Sequence, residues 1–387
     1  MPYRRLKVVY ALDAVGDHCA GGLRAGIRVV ERLRAEHDVV LLGTGTQVPG
    51  LISLPEVDVP FISKQIAKYQ FSFAQPDDAV IARALEGADL LHVQLPFWLG
   101  HRALTIARQM HIPVVVSHHV QPENLLYNVG IRWRWLAKLL NRVLVRSFYD
   151  RADVVVCPTE FSRAELMRFG LRAPAVVISN GIPERFRPAP RALPQGIFTL
   201  LTVGRLATEK RQELVLEAVQ RSRHREQIHL HVAGRGPLQK RLEQKAVALE
   251  GRASIGYVSD ESLLSLYQRA DLYLHASEVE LEGLTVLEAE RCGCPALIAD
   301  APESAARELA LGPEWMFAPN DPASLAERID FWLDRHELLQ AAREQTLQRT
   351  ARHGLDRTVR QLESIYQWVA AGRPNPLPLV PPLERFA

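Results

Sequence analysis

Cysteine is scarce in these 387 residues: Cys19, Cys157, Cys292 and Cys294, of which only the last two lie close together. Two closely spaced pairs, as a structural zinc site needs, are absent, and no signal peptide makes disulfides an expectation. Reduced, buried thiols in a cytosolic protein are expected instead. Long apolar runs are missing too. The opening "MPYRRLKVVYALDAVGD" starts basic and turns apolar, but the run ends at Asp13, too soon for a secretory leader, and reads better as a buried first strand. No stretch approaches the roughly 20 apolar residues that span a bilayer, so a soluble or peripheral chain is expected. A dominant charge is also lacking. The net charge is +3, with 23 Lys and Arg against 17 Asp and Glu in residues 1–190, and 24 against 27 in residues 191–387. A mildly basic first half suits an anionic partner. The bias is too small for nucleic acid, and no motif that reads it is present.

What the chain does have is length and rhythm. A chain of 387 residues exceeds one ordinary core, so two domains are the natural division. Short β-branched runs alternate with helical patterns: "LKVVYAL", "DVVLLG", "DLLHVQ", "PVVVSHH", "DVVVCP" and "AVVISNG". A second series follows the proline-rich "IPERFRPAPRALPQG" (182–196): "FTLLTVG", "IHLHVAG", "ASIGYVS", "DLYLHAS" and "PALIAD". Continuous rather than alternating apolar strands, each followed by a helix, indicate parallel doubly wound sheets. The fold class expected is α/β, two tandem Rossmann-like domains at 1–185 and 186–354. A helix at 355–371 crosses back to the first domain, and a proline-rich tail occupies 372–387.

Loops at the carboxyl ends of such strands bind ligands. "VGRLATEKR" puts Arg205 just after a strand and Lys210 five residues later, a guanidinium fork and an ammonium suited to a diphosphate, or else two surface cations. "AGRGP" permits close backbone approach. Gly283-Leu284-Thr285 begins a helix whose free N–H groups suit a phosphate. Glu280 before that helix and Glu288 two turns into it could each accept paired hydrogen bonds from vicinal hydroxyls; neighbouring Glu278 and Glu282 read as a solvated acidic face. In the first half, Gly21-Gly22 can bring backbone against a ligand. His118-His119 ends a strand where active-site histidines stand, and His92 is a weaker candidate of the same kind.

The order "GG", "HH", "PTEFSRAELMRFG", "VISNGI", "VGRLATEK", "AGRGP", "GYVSDESLLSLYQRADLYLHAS" and "ELEGLTVLEA" resembles the family-4 retaining glycosyltransferases of GT-B fold, from about residue 8 to 370. The resemblance implies two domains facing across a cleft, the second holding the nucleotide-sugar. Arg205 and Lys210 would hold the donor diphosphate with the backbone of Leu284 and Thr285. Glu280 would bind the transferred sugar and Glu288 the ribose. Tyr257-Val258 would read the base, His119 would face the donor sugar, and Gly22 would approach the phosphate or the reacting centre. The family works without a metal or other cofactor, and the Asp-x-Asp pair of GT-A enzymes is absent. Four positions depart from its pattern: Leu281-Glu282 replaces Gly-Phe, Arg235 replaces Asp in the "GDGP" turn, and Arg211 replaces a glycine. They leave the donor sugar open.

"SHHVQPENLLYNVG" together with "EGLTVLEA" resembles the diacylglycerol glucosyltransferases more closely than the starch or sucrose enzymes. Independently, "GIRWRWLAKLLNRVLVRSFY" (130–149) carries Arg132, Arg134, Lys138, Arg142 and Arg146 without an acid. The last four form a stripe at every fourth residue beside an apolar band of Leu136, Leu139, Leu140 and Val143, with Trp133 and Trp135 at its start. Such a helix suits an anionic bilayer surface; the alternative is a packed helix with a solvated basic face. The expectation is a peripheral enzyme at the inner face of the cell membrane, moving glucose from UDP-glucose to diacylglycerol. Other acceptors (lipopolysaccharide, polysaccharide, small soluble molecules), a nucleotide-sugar 2-epimerase and a sugar-nucleotide sensor remain as alternatives.

Overall fold

The computed structural model describes residues 4–15, 21–45, 48–57, 72–128, 130–190, 196–373 and 377; Cys19 and most of the proline-rich tail lie outside them. The chain forms two compact units. The first is Met1–Pro122, Trp133–Gly181 and Leu355–Ala387; the second is Glu123–Arg132 and Ile182–Gly354. The division thus falls at 181/182, where sequence reading put it at 185/186. The short Glu123–Arg132 segment, taken from the sequence as part of the first domain, belongs to the second unit.

In the first unit, strands β1 (Lys7–Val15), β2 (Asp38–Gly45), β3 (Leu51–Ser53), β4 (Leu90–Val93), β5 (Val114–Ser117), β6 (Val154–Cys157) and β7 (Ala175–Val177) lie parallel in the order β3-β2-β1-β4-β5-β6-β7. Helices α1 (Gly21–Leu33), α2 (Asp78–Leu85), α3 (Trp98–Gln109), α4 (Pro122–Asn128), α5 (Arg134–Ser147) and α6 (Glu160–Arg168) follow the strands, α4 passing into the second unit after Pro122. The strands are apolar throughout because both faces are covered. Val8, Tyr10 and Leu12 pack with Val29, Val30 and Leu33 of α1 on one side. Val9 and Ala11 pack with Leu99, Ala103 and Leu104 of α3 on the other.

The second unit repeats the plan with β8 (Phe198–Val203), β9 (Ile228–Ala233), β10 (Ala253–Gly256), β11 (Leu272–His275), β12 (Val279–Glu280), β13 (Ala296–Ala299), β14 (Glu303–Ser304) and β15 (Met316–Phe317). Six of these form a parallel sheet in the order β10-β9-β8-β11-β13-β15, while β12 and β14 make a two-residue ladder beside it. Its helices are α7 (Gln212–Arg221), α8 (Gln239–Ala246), α9 (Asp260–Arg269), α10 (Leu284–Arg291), α11 (Pro322–Leu333) and α12 (Leu339–Thr350). The chain's last helix, α13 (Leu355–Ala370), adds Leu355, Val359, Leu362, Ile365 and Tyr366 to the first unit's core.

Both sheets reverse their strand order once, between β1 and β4 and between β8 and β11. Helices leave in opposite directions there, which opens a crevice at the carboxyl ends of those strands. Cys157, Cys292 and Cys294 are buried and unbridged, and among the described residues no helix is long and apolar enough to cross a membrane.

Candidate active site

In the second unit the residues singled out from sequence gather at the reversal between β8 and β11. The "AGRGP" turn lies backbone to backbone on "VGRL". A Cβ added at Gly234 would stand 1.9 Å from the Gly204 carbonyl oxygen, and one at Gly236 2.4 Å from that of Leu206. Gly204 N–H donates to Ala233 O at 3.0 Å and Leu206 N–H to Arg235 O at 2.9 Å, which fixes Arg205 between them. Its guanidinium donates to the fully buried Glu209 at 2.6 Å and lies 3.5 Å from Asn124 Oδ1.

Lys210 ends a single 3-10 turn, Thr208–Lys210. Its ammonium donates to Glu280 Oε2 at 2.5 Å, and Ser277 Oγ donates to the same oxygen at 3.2 Å. Burial would raise the Glu280 carboxyl, but the Lys210 ammonium, with the Ser277 hydroxyl, outweighs it and holds the group below its ordinary range. His275, the last residue of β11, is 4% exposed and held down at about 4 by burial, so it is neutral. Its Nε2 has no hydrogen-bond partner among the described residues.

Gly283 precedes α10 with φ 86°, a left-handed conformation in which its missing Cβ also matters, since one would lie 3.0 Å from Ala306 Cβ. Leu284 and Thr285 therefore open the helix, where N–H groups have no intrahelical acceptor and the dipole favours an anion. Tyr273, behind the helix start, donates its hydroxyl to Val203 O at 3.1 Å. Glu288 stands one turn into α10 rather than two; it is 8% exposed and accepts from Tyr267 Oη at 3.1 Å. Half-exposed Tyr257 carries the Arg235 guanidinium 3.8 Å above its ring centroid, and Val258 beside it is partly buried.

Two expectations fail here. Glu278 and Glu282 are not a solvated face: Glu282 is buried, and Glu278 pairs with Arg211 at 2.9 Å. The reason lies in Arg211, which occupies a left-handed position (φ 55°) ordinarily given to glycine. Its guanidinium bonds Glu278 and Asn320, contacts that offset the backbone strain.

In the first unit the corresponding reversal brings together Gly22, at the start of α1, and His119, just beyond β5. The Cβ position of Gly22 is 3.8 Å from His119 Cβ. Burial holds His119 at about 4 and His118 and His92 at about 3, so all three are neutral. They differ in attachment. His118 Nδ1 bonds Tyr149 Oη at 2.9 Å, and His92 bonds Tyr366 Oη at 2.5 Å and Ser117 Oγ at 2.8 Å. Both are tied into the interior, whereas His119 stands beside Gly22.

Two family models cover most of the chain, end to end: "Glycosyltransferase Family 4" over residues 24–186 and "Glycosyl transferases group 1" over residues 185–349. The chain is a family-4 glycosyltransferase of GT-B fold. It is 30% identical over 226 residues to the alpha-monoglucosyldiacylglycerol synthase of Streptococcus pneumoniae, a match covering 54% of this chain and 51% of that protein; the chain thus spans about half the length of that relative. It is 28% identical to the GDP-mannose-dependent alpha-(1-6)-phosphatidylinositol dimannoside mannosyltransferase of Mycobacterium tuberculosis, covering 86% of this chain and 89% of that one. Among solved structures, the sucrose-phosphate synthase of Thermosynechococcus elongatus superposes with a TM-score of 0.76 over 95% of this chain and 100% of its own, at 17% identity. Anabaena HepE with UDP and glucose gives 0.70 over 92% and 98%, at 16% identity. These two likenesses establish the fold alone.

This glycosyltransferase, a nucleotide-sugar-dependent hexosyltransferase, also has the basic helix, in altered form. α5 starts at Arg134, and Arg132 lies apart from it in the second unit, 5.4 Å above the Tyr127 ring. Ala137, Asn141 and Val145 face inward. Half of the apolar band turns outward: Leu139 and Val143 are 49% and 51% exposed while Leu136 and Leu140 are partly buried, and beside them Trp135, 63% exposed, stacks with Trp133 at 5.9 Å. Arg134, Lys138, Arg142 and Arg146 flank that outward apolar strip. Sequence reasoning missed Glu209, four residues after Arg205, and His275, both partners of the charged cluster. The i, i+4 spacing signalled the first; the second had only its place at a strand end.

Proposed function

We propose that the protein is a retaining hexosyltransferase that moves glucose from UDP-glucose to diacylglycerol at the inner face of the cell membrane. The observation that carries the donor half is the cluster of Arg205, Lys210, Glu280 and the start of α10 at one strand-order reversal. Arg205, Lys210 and the α10 amides bind the diphosphate and stabilise the charge that develops as the bond between the sugar's anomeric carbon and the phosphate oxygen breaks. No metal is needed, because two side-chain cations and a helix start supply the positive charge. Glu280 accepts hydrogen bonds from the sugar hydroxyls, Glu288 from the ribose, and Arg235 with Tyr257 flanks the base. His119 and Gly22 serve the transferring sugar. The acceptor hydroxyl forms its new bond to the anomeric carbon on the face the diphosphate leaves, and its proton passes to the departing phosphate oxygen.

The acceptor half is supported by the streptococcal relative, whose name specifies glucosyldiacylglycerol, and by the outward strip of α5. Tryptophans and aliphatic residues flanked by four cations suit an anionic bilayer, each cation contributing ~1 kcal/mol near such a surface. A second reading, GDP-mannose with a phosphatidylinositol-type acceptor, is favoured by the mycobacterial relative, which this chain matches along most of its length.

The test is nucleoside diphosphate release from UDP-glucose and from GDP-mannose, each with and without diacylglycerol or phosphatidylinositol in mixed micelles. UDP release that requires diacylglycerol supports the first reading, and GDP release that requires the inositol lipid supports the second. Lipid-independent release onto a soluble sugar would overturn both acceptors.

A further inference from the structure

Gln94 follows β4 directly, at the point where the first unit's strand order reverses. It is 1% exposed and fully used. Its backbone N–H donates to Ala11 O at 3.0 Å. Its side-chain Nε2 donates to the Gly22 carbonyl at 3.1 Å, and its Oε1 accepts from Tyr10 Oη at 2.5 Å. The amide has one workable orientation, because turning it over would set Oε1 against the Gly22 oxygen, acceptor to acceptor. Tyr10 is itself held, 1% exposed and stacked on His92 at 4.4 Å. The helix makes room for this amide: a Cβ on Gly26 would lie 3.2 Å from Gln94 Cδ and 3.1 Å from Leu12 Cδ1. A glycine inside a helix costs about 1 kcal/mol relative to alanine, so the space serves the side chain that fills it.

We propose that Gln94 is a positioning residue that sets the first turn of α1, at Gly22, against His119, and that Tyr10 acts through it. This rests on assigning Gly22 and His119 to the transfer step. The chain of contacts runs from Tyr10 Oη through the Gln94 amide to the Gly22 carbonyl, and a Cβ placed on Gly22 would stand 3.8 Å from His119 Cβ. Both hydrogen bonds run through a buried amide, so a change at Gln94 moves the glycine turn rather than a flexible side chain. The cluster that holds the nucleotide lies in the other unit and has no part in this chain. Gln94 therefore affects turnover and leaves nucleotide affinity alone, which a merely stabilising residue would not distinguish.

The experiment uses the full-length protein, with Gln94→Glu, Tyr10→Phe, His119→Ala and Thr358→Val variants. Gln94→Glu keeps the shape but puts an acceptor oxygen, in place of Nε2, against the Gly22 carbonyl. Thr358→Val removes a buried bond of the same unit, from Thr358 Oγ1 to Ser179 O at 2.8 Å, as a stability control. Measured are kcat and KM with UDP-glucose, Kd for UDP, and Tm. Displacing a catalytic element by about 1 Å costs ~100-fold, so Gln94→Glu should lose ~10–100-fold in kcat with an unchanged Kd for UDP. Tyr10→Phe should show a smaller loss of the same kind, and Thr358→Val wild-type kcat. Wild-type kcat in Gln94→Glu beside an inactive His119→Ala overturns the proposal, as does a loss that Thr358→Val shares in proportion to its Tm. If Gln94→Glu fails to fold, wild-type kcat in Tyr10→Phe overturns it. Full activity in His119→Ala would instead remove the assignment beneath it, a result the same data set separates.

Discussion

Replacing Glu280 by Gln should make the protein bind free UDP more tightly, although it removes a residue of the proposed donor site. With no ligand bound, Lys210 is already occupied: its ammonium donates to Glu280 at 2.5 Å, and the two side chains are 19% and 17% exposed. A diphosphate must draw Lys210 away from that carboxylate. A nucleotide-sugar compensates by giving Glu280 its hydroxyls, whereas UDP offers it nothing. A hydrogen bond to a charged group is worth about 1.5–3 kcal/mol. The wild-type protein should therefore hold UDP ~10–100-fold more weakly than Glu280→Gln, at about 1.4 kcal/mol per tenfold. Sugar transfer should fall in the same variant, because the amide accepts fewer hydrogen bonds from the sugar. Isothermal titration of UDP and UDP-glucose into both proteins reads the effect. Equal or weaker UDP binding by the variant would refute the exchange of partners, and the carboxylate would then be acting on the sugar alone. The contrast should hold from neutral pH down to the carboxyl's ordinary range. The folded-state value of Glu280 is depressed, so the pair's contribution is present above the unfolded value and lost as pH falls through the lower, folded one.

Other expectations follow from the same geometry. Arg205→Ala or Lys210→Ala should each cost ~2–4 kcal/mol of transition-state stabilisation in kcat/KM, as loss of a preorganised electrostatic contact does; wild-type turnover by both would remove the donor assignment. Acid should weaken the first unit. His92, His118 and His119 are held at about 3, 3 and 4 in the folded protein against an ordinary 6.5, so the unfolded chain binds more protons below 6.5. Stability is then complete above that value and falls toward pH 4 by up to ~4 kcal/mol per pH unit, and a Tm unchanged between pH 7 and 5 would contradict it. Trp135→Ala combined with Lys138→Glu and Arg142→Glu should abolish sedimentation with anionic liposomes while leaving UDP affinity intact; sedimentation equal to wild type would acquit α5.

The parallel sheets were legible because their strands are apolar on both faces and carry no alternation to confuse with a hairpin. The loops at their carboxyl ends were legible for the same reason, since strand ends locate Arg205, His119 and Glu280 once the strand is placed. What the sequence hid was pairing. Glu278 and Glu282 resembled a solvated face because nothing local announces that a left-handed Arg211 will reach across to bond Glu278. The outward turn of Leu139 and Val143 was hidden by a helix that buries Asn141 instead, since periodicity gives the angle between two faces but not which one meets the core. His275 was illegible because its significance is an interior one, a neutral ring beside a charged pair, and a strand gives no hint of what packs at its end.

α13 carries a consequence for how the protein is made. The helix supplies Val359, Leu362, Ile365 and Tyr366 to a sheet whose seven strands all precede residue 178. A ribosome delivers those strands first, then residues 182–354, which complete the second unit, and only after them the helix that closes the earlier core. During synthesis the second unit has its whole core before the first does, so the order of completion reverses the order of the genetic text. Until residue 366 emerges, His92 waits for Tyr366, 274 positions downstream. A stop codon before 355 would therefore spare the second unit and leave the half synthesised first unfinished.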